Sequence, residues 1–399
     1  MPDDSIALPR AAQAAATPAG WSARTYLSLV SLSIATFALV FSEFLPAGLL
    51  TPMAAGLGIS EGLAGQTVTA TGVAGTFSAL LIGFVIRRLD RKRVMVSLCA
   101  LVVISNVGAA LAPDFVTLLV ARVAVGVAVG GFWTLVAAVV ARLVSIDAIG
   151  KGMAIIFVGV SAATIAAPPL AALIAELLGW RAAFGVGAVA GTLALLVEIA
   201  TLPRLPASDP VRLALLAEML RRPMVQVGLI AVVAVAGGHF AGFTYIRPVL
   251  ETFTRLPPST VAEVLLAFGA ANFVGNLVSG AVVDRSLRLA LGGVGVLLGA
   301  SALGLVAYGA QTLPAAVLVT VWGFAFGAAP LVLQTWMARA APDHLEAAGG
   351  LLVATFQIAI TLGAAVGGAI VDGYGVADVL IFTGAIGLVA ACLSAVRFR

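Results

Sequence analysis

The sequence predicts an all-α membrane protein with twelve transmembrane helices in two six-helix bundles. Of its 399 residues, 61% are hydrophobic and only 10% are charged, and the mean hydropathy is +1.14. Soluble domains average about 25% charged residues, so this chain lacks the polar surface of a water-soluble fold. A spanning helix needs about 20 mainly apolar residues, which leaves room for about a dozen spans.

Twelve apolar runs follow one another along the chain, each ended by turn residues or charges, and we expect one helix for each. They cover residues 25–50, 62–84, 94–112, 115–142, 152–175, 181–202, 224–248, 260–283, 290–309, 313–338, 347–370 and 377–396. The runs divide the chain into a tail (1–24), a first bundle (25–202), a linker (203–223) and a second bundle (224–399). The tail has no apolar core of the kind found in a signal peptide.

Paired glycines indicate that the two bundles are related. Gly83 and Gly280 both end a helix before a basic turn, 197 residues apart, and Gly179 and Gly375 lie in later turns 196 residues apart. Two offsets this similar favour a duplication, and parallel repeats of six spans are a known transporter architecture.

The distribution of positive charge predicts the topology. An even number of spans places both termini on one side, and 18 of the 22 Lys and Arg residues fall on that side. The positive-inside rule then assigns both termini to the cytosol. Because the arginines stand in short clusters between apolar runs, the net charge of +4 indicates membrane orientation, and we expect no nucleic-acid partner.

The linker is expected to contain a short helix on the cytosolic membrane surface. Asp209 and Pro210 form a typical helix start and Pro223 ends the run, which predicts a helix over 210–222. Its leucines, Leu213, Leu216 and Leu220, should face lipid or protein.

Two charged residues interrupt apolar spans and are the first candidates for function. Glu43 lies in the first span and Arg122 in the fourth, each about 10 Å below the outer surface, so that they are placed to form a pair. Intramembrane charges are costly and usually mark a pathway. Glu43 is therefore a candidate proton carrier whose proton affinity Arg122 modulates, and the alternative is a permanent salt bridge inside the first bundle.

Helix 7 carries a further polar cluster in GGHFAGFTYIRPVLE. His239 is a candidate for a second proton carrier or a substrate contact, because histidine titrates near neutral pH; the alternative is a packing residue. Arg247 and Glu251, four residues apart, are expected to form an ion pair near the outer surface. Other polar and aromatic residues are candidates to line a substrate cavity, with helix packing as the alternative: Gln66, Trp133, Phe240, Tyr245, Asn272, Asn276, Trp322, Gln334 and Gln357.

Several kinds of site have no pattern in this sequence. The two cysteines, Cys99 and Cys392, are far apart and isolated, so neither a disulfide nor a metal site is expected. No HExxH, GxSxG or GxxxxGK motif occurs, so we expect no enzyme activity, no cofactor and no ATP site. Energy for transport would then come from an ion gradient, a solute gradient or another subunit.

Three segments resemble the major facilitator superfamily, in particular its twelve-span drug:proton antiporter branch. They are FLPAGLLTPMA, RVAVGVAVGG around Arg122, and GVSAATIAAPPLAALIAELLGWRAAF, which is similar to the antiporter signature around Pro168. In that signature Ala167 replaces the usual glycine. The resemblance covers about residues 25–396 and implies alternating access in a bacterial inner membrane, with a small molecule and protons as partners, contact with lipid, and action as a monomer.

The resemblance also implies a cytosolic gate after helices 2 and 8. GAVVDRSLR keeps the acid–base pair Asp284 and Arg285, whereas in GFVIRRLDRKR, after Gly83, Arg87 stands at the expected acid position and Asp90 follows three residues later. We expect Asp284 to lie near the start of helix 5 in the closed state, where Lys151 and free backbone N–H groups at 150–152 attract a carboxylate.

The function expected from these features is export of a small organic solute or drug in exchange for protons. The stretches EFLPAGLL and HFAGFTYIRPVLE are equally similar to efflux proteins for sugars and purine nucleosides, so a sugar or nucleoside exporter with different coupling is the alternative. A membrane receptor or scaffold of the same fold is a third hypothesis.

Overall fold

The computed structural model describes residues 21–145, 148–206 and 217–396, and all regular secondary structure in these ranges is helical. Twelve long helices lie in the described ranges: α1 Ala23–Leu57, α2 Glu61–Val85, α3 Arg91–Ala110, α4 Phe115–Leu143, α5 Ile149–Leu178, α6 Trp180–Thr201, α7 Pro223–Phe243 continued by Ile246–Pro248 and Val249–Phe253, α8 Pro258–Arg285, α9 Leu287–Tyr308, α10 Thr312–Ala340, α11 Leu345–Gly373 and α12 Val376–Leu393. Within these ranges, eleven helices are long and apolar enough to span a membrane. The twelfth, α2, has 25 residues and packs along α4 and α11.

The helices form two six-helix bundles, as the sequence predicts. A single hydrophobic core between Leu29 and Leu205 joins α1 to α6. The turns that the glycine offsets pointed to are alike in conformation, because Gly179 and Gly375 both have a positive φ, 82° and 109°. That backbone geometry is strained for other residues, so the two glycines serve the same turn in each half.

The two halves meet along two helix pairs, α2 with α11 and α5 with α8. We call the side where α1 begins and α12 ends the termini face, and the other side the opposite face. A β-carbon on Gly62, Gly72 or Gly269 would lie within 2.6 Å of atoms of the other half, so the backbones approach closely at mid-height and toward the opposite face.

Toward the termini face the halves separate. Gly83 and Gly349 lie further along the same α2–α11 pair, and neither has a neighbouring heavy atom within 4 Å of its β-carbon position. Gly150 at the start of α5 is equally open. Among the described residues, the hydrogen bonds between the halves, from Ser60 and Gly62 to Asp372, from Tyr245 to Gly62 and from Arg247 to Gly48, also lie toward the opposite face. The conformation is therefore closed at the opposite face and more open at the termini face.

Helix α1 is longer than the sequence predicts and continues through two prolines, Pro46 and Pro52. Proline has no N–H to bond the carbonyl four residues earlier, which frees the carbonyls of Ser42 and Gly48. Arg122 donates to the first carbonyl and Arg247 to the second. The helix persists because side chains satisfy the groups that its prolines leave free.

Helix α7 is not the continuous helix predicted over 224–248. It contains π-helical turns at Val233–Gly237 and Val249–Phe253 and a break between Phe243 and Ile246. Pro248 ends the short α-helical segment directly before the second π-helical turn. Such turns are frequent at functional sites, and here they lie on both sides of the segment that faces α1.

The linker helix predicted over 210–222 falls largely outside the described residues, including Leu213 and Leu216. Residues 203–206 have no regular secondary structure, and 217–219 are helical before a turn. Leu220 is 46% exposed. Arg222 binds Asp343 in the loop between α10 and α11, so the end of the linker is held on the second half.

Candidate functional site

Glu43 borders a small cavity between the two halves. Its volume is about 10 Å³, room for roughly one water molecule. The lining comes from both halves: Glu43, Phe44, Ala47, Val68 and Thr71 from α1 and α2, and Phe240, Phe243, Thr244 and Ile360 from α7 and α11. A carboxyl group is thus placed among aromatic and small side chains at the junction of the halves.

Arg122 is fully buried and contacts the turn of α1 that carries Glu43. Its Nη1 donates to the Ser42 carbonyl at 2.9 Å, and its guanidinium lies 5.9 Å from the Phe184 ring centre. Its Nε and Nη2 have no hydrogen-bond partner. Asn106 holds the same turn by donating to the Ser42 hydroxyl at 2.7 Å.

The two charges therefore share one helix turn without touching. No nitrogen of Arg122 lies within 4.0 Å of a Glu43 carboxylate oxygen, so the permanent salt bridge proposed as an alternative is not present in this conformation. The reason is local: Pro46 frees the neighbouring carbonyl, which accepts the arginine's hydrogen bond. Glu43 keeps its oxygens for the cavity.

His239 lies in a cluster of aromatic rings. It is fully buried and stacks on Phe326, with ring centres 3.4 Å apart at 6°. The indole N–H of Trp322 donates to its Nδ1 at 3.0 Å, and its Nε2 has no partner. The ring also contacts Phe240 and Phe243, which line the Glu43 cavity.

Arg247 and Tyr245 connect the halves on the opposite-face side of the cavity. Arg247 forms the predicted ion pair with Glu251 at 2.7 Å, which confirms that expectation, and its Nη1 donates to the Gly48 carbonyl of α1. The Tyr245 hydroxyl donates to the Ala364 carbonyl at 2.8 Å and fills the space beside Gly65 of α2. Both side chains are buried, so they act as part of the closed end.

Asp372, at the end of α11, caps α2 across the same boundary. Its carboxylate accepts from the Gly62 N–H at 2.9 Å and from the Ser60 hydroxyl at 2.6 Å. A helix N-terminus favours a negative charge. Sequence reasoning missed this contact because N-capping is normally sought among residues next to the helix, and Asp372 is 310 residues from Gly62.

The remaining cavity candidates lie at different depths, and their substrate roles stay predictions. Phe240 borders the Glu43 cavity. Gln66 and Gln357 lie in the α2–α11 contact, beside Gly368 and Gly75 respectively. Trp322 is fully buried on His239. Trp133 packs on Phe157, Asn272 and Asn276 are half-buried in α8, and Gln334 is exposed.

The residues predicted to form the gate lie near the termini face, apart from Pro168. Asp284, Arg285 and Lys151 are exposed, and Gly83 is open. Asp90 caps α3 and accepts from the Leu205 N–H at 3.0 Å, within the first half. Pro168 lies in α5, with its carbonyl against Gly48. Their gating roles stay predictions, because the face that they would close is open here.

Glu198 is a further buried acid that sequence reasoning missed. It lies in α6, fully buried, and neither carboxylate oxygen has a hydrogen-bond partner. It belongs to the contact between α3 and α6 inside the first half. It lies inside the predicted apolar run 181–202, four residues before its end.

The family of this chain follows from its similarity to known proteins. The family model described as Major Facilitator Superfamily matches residues 32–350. The chain belongs to the major facilitator superfamily. The sequence motifs predicted a membrane transporter of this superfamily, and the family match confirms that prediction.

Curated relatives within the superfamily match almost the full length. A purine ribonucleoside efflux pump of Salmonella enteritidis PT4 is 38% identical over 379 residues, which cover 95% of this chain and 94% of the relative. The efflux pump of the same description from Salmonella typhimurium LT2 is equally similar. Of the alternatives left open by the sequence, these relatives correspond to the nucleoside exporter.

Solved structures share the major facilitator fold at low identity. A bacterial homologue of the human lysosomal transporter Spinster, in an inward-facing and unoccupied conformation, superposes with a TM-score of 0.75 at 15% identity, over 94% of this chain and 97% of that one. A POT family transporter in complex with 5-aminolevulinic acid gives 0.74 at 13% identity, over 91% and 94%. These likenesses concern the fold.

Proposed function

We propose that this protein exports purine ribonucleosides, or closely similar solutes, across a bacterial inner membrane in exchange for protons. The observation that carries the proposal is the cavity in which one carboxyl group, Glu43, meets aromatic side chains from both halves. In this conformation the cavity has room for about one water molecule, so a nucleoside requires it to widen as the halves move apart. Phe44, Phe240 and Phe243 would then offer flat apolar surfaces to a heterocyclic base. The similarity to purine ribonucleoside efflux pumps supports the same substrate class.

Glu43 is the group proposed to exchange protons. It borders the cavity with no cation in direct contact, while the charge of Arg122 is fixed one residue away at the Ser42 carbonyl. A small change in the cavity then alters the solvation of the carboxyl group and its electrostatic interaction with Arg122, and both affect proton affinity. Substrate and proton compete if each favours a different state.

The orientation follows from charge. The positive-inside rule supports cytosolic termini, and in this proposal the termini face is the cytosolic face and the opposite face is the outer face. Export requires the contacts of Arg247, Tyr245 and Asp372 to break while a contact forms at the termini face. Asp284 near 150–152 is the contact that we propose for that second state.

Transport into inside-out vesicles tests the proposal. Vesicles with an acidic interior should accumulate a tritiated purine ribonucleoside such as adenosine, and an uncoupler should abolish accumulation. Glu43→Gln, which mimics the protonated acid, should fold and bind the nucleoside but lose uptake driven by the proton gradient. Glu263→Gln, on an exposed position of α8, is the matched control and should behave as wild type.

Three results would contradict the proposal in different ways. Full gradient-driven uptake by Glu43→Gln would remove Glu43 from the coupling mechanism. Uptake of a labelled pentose but of no nucleoside would favour the sugar exporter, while nucleoside exchange without any response to the gradient would favour a facilitator.

A further inference from the structure

His239 is the one intramembrane histidine of the chain, and its surroundings decide what it can do. The only other histidine is His344, in the loop before α11. Rings from three helices surround His239: Phe240 and Phe243 from α7, Phe268 from α8, and Trp322 and Phe326 from α10. Among the described residues, no carboxylate lies within ion-pair distance of it.

The hydrogen bond from Trp322 selects one form of the His239 ring. An indole N–H can only donate, so the Nδ1 atom at 3.0 Å from it must be an acceptor. The neutral ring that satisfies this condition carries its proton on Nε2. Both the other neutral tautomer and the cation would place an N–H opposite the indole N–H.

Burial opposes the cation as well. The Nε2 atom is inaccessible to solvent and has no partner, so a proton gained by the ring would leave a desolvated charge without a counterion. A proton carrier would also need a route for the proton, and both ring nitrogens are enclosed by aromatic carbon and the indole.

We infer that Trp322 is a positioning residue that holds His239 as the neutral Nε2–H tautomer, and that His239 is a fixed wall element and not a proton carrier. His239 stacks on Phe243 at 4.9 Å and 18°, and meets Phe240 edge-on at 4.9 Å and 84°. These two phenylalanines line the Glu43 cavity. The Trp322 indole thus orients the His239 imidazole, and the imidazole orients Phe240 and Phe243, which form the aromatic wall of the cavity.

This inference rests partly on the proposed function, because the wall matters only if the cavity binds solute. The tautomer itself is independent of transport, so we test it first by spectroscopy. Protein labelled with ¹⁵N-histidine in lipid nanodiscs should show, for His239, one protonated nitrogen and one hydrogen-bonded unprotonated nitrogen. These signals should not change between about pH 5 and about pH 8, where a free histidine titrates.

His344 provides the comparison within the same sample, because it is half-buried at the surface, 3.4 Å from Asp343 and outside the aromatic cluster. His239→Gln assigns the signals by removing one set. Trp322→Phe keeps an aromatic ring but loses the indole donor, so the His239 signals should lose the hydrogen-bonded shift and show both tautomers. Protonation of both His239 nitrogens in wild type within this pH range would overturn the inference.

Transport assays give the second readout. His239→Gln retains an acceptor for the indole N–H and a donor, and should leave the pH profile of uptake unchanged while raising KM roughly two- to tenfold, the size expected for losing one aromatic contact. Trp322→Phe should likewise change KM without shifting the pH profile. Loss of gradient-driven uptake in His239→Gln, with solute exchange retained, would make His239 the proton carrier and overturn the inference.

Discussion

In two turns of α1, an arginine donates to a carbonyl that a proline leaves free, but the two contacts join different parts of the molecule. At Pro46 the freed Ser42 carbonyl accepts from Arg122, which comes from α4 of the same half. At Pro52 the freed Gly48 carbonyl accepts from Arg247, which comes from α7 of the other half. In both places a proline removes a helical hydrogen bond and a buried arginine replaces it.

The difference lies in what moves. A contact inside one bundle survives if the bundles move as rigid bodies, so Arg122 should be part of a permanent scaffold behind Glu43. A contact between bundles must break when the opposite face opens, so Arg247 should act as a latch. One substitution in each turn can therefore distinguish a scaffold from a switch.

Replacing Arg122 should have the largest effect. Arg122→Leu leaves the Ser42 carbonyl without a partner, at a cost of roughly 1–3 kcal/mol, and removes the positive charge near Glu43. We expect a thermal unfolding midpoint several degrees lower in detergent, and loss of gradient-driven uptake. Arg142→Leu, on the exposed end of the same helix, is the control. A raised midpoint in Arg122→Leu would mean that the buried charge destabilises the fold.

Replacing Arg247 should shift the conformation more than the stability. Arg247→Gln combined with Glu251→Gln removes the contact to Gly48 without leaving an unpaired acid. Losing one charge-assisted hydrogen bond, about 1.5–3 kcal/mol, should move the equilibrium roughly ten- to hundredfold toward opening of the opposite face.

Distances between spin labels measure that shift. Labels at Leu111 and Leu313, exposed positions on the opposite face of each half, in a Cys392→Ser background should report a longer distance population. Arg255→Gln, an exposed arginine near the same face, is the control. An unchanged distribution would remove the latch role from Arg247.

Replacing Asp372 should give a smaller shift in the same direction. Asp372→Ala removes the carboxylate that caps α2 from the other half, worth about 1 kcal/mol for a typical N-cap, so the open population should rise several-fold. Asp372→Asn keeps an acceptor for the Gly62 N–H and should lie between wild type and Asp372→Ala. Asp378→Ala, in the first turn of α12, changes an acid within one half and should leave the distances unchanged.

The surface pair between Arg222 and Asp343 should have the smallest effect, because it joins the end of the linker to the second half and does not connect the two halves. Its two hydrogen bonds, at 2.5 and 2.6 Å, lower the pKa of Asp343 from 3.8 to about 2. A carboxylate with a lowered pKa stabilises the fold above its unfolded pKa, and this contribution disappears as the pH falls through the folded value.

Asp343→Asn should therefore slightly lower the unfolding midpoint at neutral pH. The difference from wild type should stay constant from about pH 8 to about pH 5 and disappear between about pH 4 and about pH 2. Spin-label distances should not change. A shift in these distances would show that the linker end participates in the motion between halves.

Much of the fold was predictable because it depends on local composition. Apolar runs located the twelve helices, and the paired glycines Gly179 and Gly375 located equivalent turns that the structure confirms. The predictions failed at α1, which continues through its prolines to Leu57, and at α7, which is broken and partly π-helical. In α1 the carbonyls that the prolines leave free are satisfied by arginines from other helices.

The candidate site was predictable only in part. An acid in an apolar span is visible in any sequence, so Glu43 was found, and the spacing of Arg247 and Glu251 predicted their ion pair. The partner of Arg122 was not predictable. Pro46 cannot bond the Ser42 carbonyl, and this free carbonyl accepts from Arg122 in place of the Glu43 carboxylate. Asp372 was missed because its partner is a helix start in the other half.

The sequence by itself determined that this chain spans a membrane and where its helices lie, because transfer of apolar residues out of water depends on composition along each segment. Only the tertiary structure decided which groups meet. Arg122 lies 80 residues from the carbonyl it binds, Arg247 lies 199 residues from its own, and Trp322 lies 83 residues from His239. Hydrogen bonds require atoms within about 3 Å at suitable angles, and such geometry arises only when the helices have packed.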